Sequence, residues 1–140
     1  MSYEFSHPAM NAQEKKTIVF TALSKKNFFL RMLIVKFVLE KKCVPINPFM
    51  LFDYYLLDTV ERDTIRSANN NLVALANELW VFGSISNGVM AEILQTIPTK
   101  KPIRFFAQES EDEGGFSEIS KERLVFEDGM EKFKEVLERV

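Results

Sequence analysis

Ser86, Gly88 and Glu92 fall within one short stretch, ELWVFGSISNGVMAEI, running from Glu78 to Ile93. The stretch begins as an apolar β-branched and aromatic run, passes through a Gly-Ser-Ile-Ser-Asn-Gly hinge and becomes helical in composition. A strand, a small-residue loop and a helix N-terminus together present free backbone N–H groups and suit an anion. A carboxylate placed beside such a site is repelled unless it has work to do. Ser86 can cap the helix and also offer its hydroxyl to an anion. Gly88 lies four residues before Glu92 on the same helical face, and helical side chains lean toward the N-terminus. The missing side chain at Gly88 therefore leaves open space in front of the Glu92 carboxylate. Taken singly, Glu92 reads as a solvated helix glutamate, Ser86 as a cap and the glycines as loop geometry. Their coincidence is what points to chemistry.

Composition narrows the chemistry. The chain has 140 residues, 46% hydrophobic and 27% charged, with a formal net charge of −2. That is one domain's length with enough apolar residues for a core, and no basic excess to track a nucleic acid. One histidine, His7, and one cysteine, Cys43, argue against a zinc site and against a Ser-His-Asp triad. No metal and no organic cofactor is expected. A single cysteine cannot form an internal disulfide and suits a reducing compartment, with a buried, inert thiol as the simplest reading. The run FFLRMLIVKFVL is interrupted by Arg31 and Lys36 and is too short to span a bilayer. With no signal-peptide pattern in the first residues, a cytoplasmic protein without a membrane partner is expected.

The elements that must position these residues can be read from periodicity. Residues 1–15 read as a tail, and 16–140 as a single domain. KTIVFTAL (Lys16–Leu23) predicts the first strand, Asn27–Lys42 a helix apolar on nearly every side, and CVPINPF a short strand ended by prolines. Residues 50–76 predict helix in two pieces, with a break near Asp58-Thr59 and three asparagines, Asn69 to Asn71, poorly suited to a helix interior. ELWVFG predicts the third strand, Ser86–Ile97 a helix and KPIRFF the fourth strand. In that helix Met90, Ile93, Leu94 and Ile97 form the sheet-facing stripe, with Glu92 pointing away from it. An acidic loop over 109–115, a possible fifth strand at RLVF and an amphipathic helix over about 128–140 complete the chain. Strands alternating with helices predict an α/β, three-layer Rossmann-like or flavodoxin-like domain with a parallel sheet of four or five strands. Ligands of such sheets bind beyond the carboxyl ends of the strands, where ALSKKN and GSISNG fall.

The segment SNGVMAE, directly after the ELWVFG strand, resembles the nucleoside 2-deoxyribosyltransferase-like superfamily. The likeness is nearest to its deoxynucleoside 5′-monophosphate N-glycosidases and related uncharacterised proteins, and spans about Thr17 to Phe106. The resemblance implies that Glu92 is the nucleophile at the anomeric carbon, that Ser86 meets the 5′-phosphate, and that Ser24 touches substrate, with Lys25 beside it as a further candidate. The reading of one anion site with Ser86 adds Gly88 and the ALSKKN loop. It implies a base pocket after the second strand, where Tyr54 could stack on a base beside Phe49, Phe52 and Tyr55; packing in the core is their simpler role. Members commonly carry an acidic residue where this chain has Asn77. Asn77 can hydrogen-bond a base or orient Glu92 but cannot act as an acid. The implied activity is cleavage or transfer at the N-glycosidic bond of a nucleotide or nucleoside, through a covalent glycosyl-Glu92 intermediate. A non-catalytic nucleotide-binding or signalling module is the alternative, and an interaction subunit docking through its apolar first helix is a third. The composition of that helix and the habit of the superfamily both predict a homodimer or higher homo-oligomer.

Overall fold

The computed structural model describes residues 4–110 and 115–140, with the side chains of Tyr54, Tyr55, Leu57 and Ser110 outside the description. Strands β1 (Ile18–Leu23), β2 (Val44–Ile46), β3 (Glu78–Phe82), β4 (Ile103–Ser110) and β5 (Gly115–Ile119) form one sheet in the order β2-β1-β3-β4-β5. β1, β2, β3 and β4 run parallel. β5 is antiparallel to β4, so the expected parallel sheet has four strands and an antiparallel edge. The connection from Ser110 to Gly115 is too short to carry a crossover, so the chain turns back on itself. The acidic loop expected over 109–115 falls mostly outside the described residues.

Alternation along the strands assigns the two faces. Val19, Leu23, Trp80 and Phe82 pack with Leu30, Ile34 and Val38 on one side. Phe20, Ala22, Leu79 and Val81 pack with Val73, Val89, Met90 and Ile93 on the other. Helix α1 (Arg31–Glu40) therefore covers the first face, and α4 (Arg62–Leu75) and α5 (Asn87–Thr96) cover the second. The result is the three-layer α/β arrangement of Rossmann-like folds, buried on both sheet faces. Two short helices, α2 (Pro48–Leu51) and α3 (Asp53–Thr59), lead from β2 into α4.

The helices begin where the sequence supplies caps. Ser86 accepts from the Val89 N–H at 3.3 Å, Asn47 accepts from the Phe49 and Met50 N–H groups, and Glu61 accepts from Asp63 and Thr64. The break between α3 and α4 falls at extended Val60, one residue past the expected place. Pro45 sits in β2, at the sheet edge, where a strand tolerates a missing N–H.

Three further expectations change. The predicted first helix starts as a 3₁₀ turn, Lys25–Leu30, before α1. RLVF is not a sheet strand; Phe126 instead makes a lone parallel bridge to Ile85. The closing helix is a 3₁₀ stretch, Glu131–Arg139, that buries Leu137. The N-terminal tail holds one 3₁₀ turn, Pro8–Asn11, capped by His7. Among the described residues no helix is long and apolar enough to cross a membrane.

Candidate functional site

From β1 the chain steps one way to β2 and the other way to β3. Adjacent connections therefore diverge at the carboxyl ends of β1 and β3 and leave a crevice there. A cleft of about 600 Å³ opens at that point. Its walls come from the turn after β1, the start of α2, one face of α4, the first turns of α5, and Glu127.

Among the expected site residues, Ser24, Lys25, Ser86, Gly88 and Glu92 all line this cleft. Ser86 caps α5. A side-chain carbon built on Gly88 would meet nothing within 4 Å, so the space in front of Glu92 is open as the sequence implied. Phe49 and Phe52 line the cleft too. The side chain of Tyr54 lies outside the described residues.

Asn77 is a correction. It stands just before β3, at the opposite, amino end of the strands, where its Oδ1 accepts from the Ile18 N–H at 2.8 Å and its N–H donates to Ile18 O. It finishes the β1–β3 ladder and takes no part in the cleft. Leu94 is another: it is 44% exposed, and the buried face of α5 is Val89, Met90, Ile93 and Thr96. That rotation brings Glu92 to the flank of the buried face, against α4.

There Asn69 of α4 donates its amide to Glu92 Oε2 at 2.9 Å. Desolvation pushes the Glu92 carboxyl up to about 7, and the Asn69 hydrogen bond offsets only part of that rise. A half-buried carboxyl so placed is more basic, when ionised, than a solvated glutamate. The run of three asparagines was the sequence signal for Asn69. An amide in a helix interior needs a polar partner, and here the partner is Glu92.

Glu127 is the second cleft residue that sequence reasoning missed. Ser84 Oγ donates to its Oε2 at 2.7 Å, and Lys26 Nζ lies 3.9 Å from its Oε1. Burial pushes Glu127 up, but hydrogen bonds from Ser24 and Ser84 and the Lys26 ammonium outweigh it and hold the carboxyl below its ordinary value. Only the turn-like composition around Glu-Asp-Gly hinted at a loop there. The two cleft carboxyls thus sit in opposed environments, Glu92 raised by desolvation and Glu127 lowered by its donors.

Cys43 is half-buried and free, with Sγ 3.6 Å from Lys41 O. It lies at the amino end of β2, away from the cleft. Among the described residues no three His, Cys, Asp or Glu side chains are grouped as metal ligands would be.

The profile of a family described as a domain of unknown function, DUF7768, matches residues 20–106. That is more than half of the chain. The chain belongs to the DUF7768 family. No curated protein matches it. The DUF7768 match runs from β1 into β4 and contains Ser24, Asn69, Ser86, Gly88 and Glu92. It ends well before Glu127, so one wall of the cleft comes from outside the matched segment.

Proposed function

We propose that this protein cleaves or transfers the N-glycosidic bond of a nucleoside or nucleotide, with Glu92 as nucleophile. The observation that carries the reading is a desolvated Glu92 carboxyl facing a cleft that Gly88 leaves open. The ionised carboxylate attacks the anomeric carbon as the bond to the base breaks. The base departs with the bonding pair and takes up a proton from solvent water, leaving a glycosyl ester on Glu92. Water or a second base then resolves the ester. Asn69 holds one carboxylate oxygen, which fixes the direction of attack. The aromatic wall of Phe49 and Phe52 suits the flat face of a base. The resemblance of SNGVMAE to the nucleoside 2-deoxyribosyltransferase-like superfamily supports the same assignment. The reading includes a homodimer or higher homo-oligomer, supported by the exposed apolar residues of the first helical segment. It includes a reducing, cytoplasmic setting, which free Cys43 suits.

The test is incubation with a panel of nucleosides and nucleotides, with released base followed by chromatography. Wild type should release base, at a rate that rises with pH through about 7, because attack needs ionised Glu92. Glu92→Gln should lose on the order of a thousandfold in rate while still binding the ligand. Equal turnover by the variant would remove the mechanism. Ligand binding by wild type without base release would leave a nucleotide-binding module of the same fold.

A further inference from the structure

The loops after β1 and β3 each bring a donor, Lys26 and Ser84, to one acceptor at the cleft wall, Glu127. Ser84 donates to Glu127 at 2.7 Å, and Lys26 stands 3.9 Å away. The Glu127 side chain is only 17% exposed. Its backbone is pinned as well: the Glu127 N–H donates to Ile85 O at 3.0 Å, and the Ile85 N–H donates to Val125 O at 2.9 Å. Glu127 is thus clasped to the same loop that leads into α5 and Ser86. It is not a surface side chain that swings away at small cost.

These are the donors that a phosphate in this part of the cleft would need. A phosphate would compete with Glu127 for them and would bring a second negative charge beside its carboxylate, where like charges repel. An alcohol meets the opposite situation, because an ionised carboxylate is an acceptor with several lone pairs and a hydroxyl can donate to it. We infer that Glu127 is the specificity residue of this cleft. It fills the anion-receiving loops from within and selects ligands that present an uncharged hydroxyl there instead of a phosphate. Within the N-glycosidic reading, on which this choice of ligand rests, the substrates are nucleosides with a free 5′-hydroxyl. The loops do receive an anion, and the anion is the chain's own.

Two measurements test this. In the first, inorganic phosphate is titrated against wild type and Glu127→Gln at constant ionic strength, with melting temperature as the readout. The variant keeps the size of the side chain and loses its charge. Phosphate should raise the melting temperature of Glu127→Gln and leave wild type unmoved. Equal shifts in both proteins, or none in the variant, would overturn the inference. The second uses wild type alone and so stands even if the variant folds poorly. Deoxynucleosides and their 5′-monophosphates are compared by calorimetry, and the nucleosides should bind tighter by about tenfold or more, equivalent to about 1.4 kcal/mol. Equal or tighter binding of the monophosphates would overturn it. If wild type neither binds nucleosides nor releases base, the glycosidic reading fails, and the phosphate titration still decides the role of Glu127.

Discussion

Glu92 has a cost at the residue scale that an exposed glutamate would not have. Its carboxyl is raised from 4.5 to about 7 by desolvation, so the folded chain holds a proton there that the unfolded chain releases. A raised carboxyl contributes stability that is complete below about 4.5 and is lost as pH climbs through about 7. Stability should therefore fall across that window and level off above it. Glu92→Gln removes the ionisation and still receives the Asn69 amide. It should be more stable than wild type at pH 8, by roughly 1–3 kcal/mol, and about equal to it at pH 5. Urea denaturation of both proteins at the two pH values checks this. A solvated, outward-pointing Glu92, as the sequence first suggests, would give the same difference at both.

At the scale of elements, strands and helix starts were legible because local rules decide them. The alternation in ELWVF and the caps Ser86 and Asn47 act within a few residues. What the sequence hid was long-range. Asn77 looked like a site residue because it stands where the resembled superfamily carries an acidic residue, yet only the pairing of β3 with β1 shows that it closes the far end of the ladder. Leu94 and Glu92 flank the same buried face, and the packing of α4 on α5 decides that Glu92 turns toward the protein. Glu127 was invisible because the bridge between Ile85 and Phe126 spans about forty residues of sequence. Gly83 provides a test at this scale. Its φ is +82°, and an added side-chain carbon would lie 2.7 Å from Asn27 Nδ2. Gly83→Ala should cost about 1–3 kcal/mol, from the left-handed backbone and from the displacement of Asn27 in the turn after β1. Equilibrium denaturation reads the loss, and a change under 0.5 kcal/mol, the usual scale of a neutral surface substitution, would count against this account of the loop.

For the whole molecule, the proposed association would use the face of the first helical segment turned from the sheet. Phe29, Met32 and Leu39 are 70%, 64% and 55% exposed, and their spacing puts them along one side. Ile34 and Val38, on the other side, are fully buried. The all-round apolar composition is thus half explained by the core, and the remaining half is the surface that the proposed homo-oligomer would cover. Light scattering should give at least twice the 16.2 kDa chain mass. Met32→Glu should return the protein to the monomer with little loss of fold, because the side chain has no place in the core. A monomeric wild type at micromolar concentration would remove the assembly. The net charge of −2 leaves little long-range repulsion to oppose association.

The clasp between Ile85 and the Val125–Glu127 segment also sets an order in time. Every other residue that lines the cleft lies at or before Gln95, so translation delivers Glu127 about thirty residues after the rest of the site. At roughly 5–20 residues per second, the nascent chain spends about two to six seconds with Ser24, Ser84 and Lys26 made and their internal carboxylate still missing.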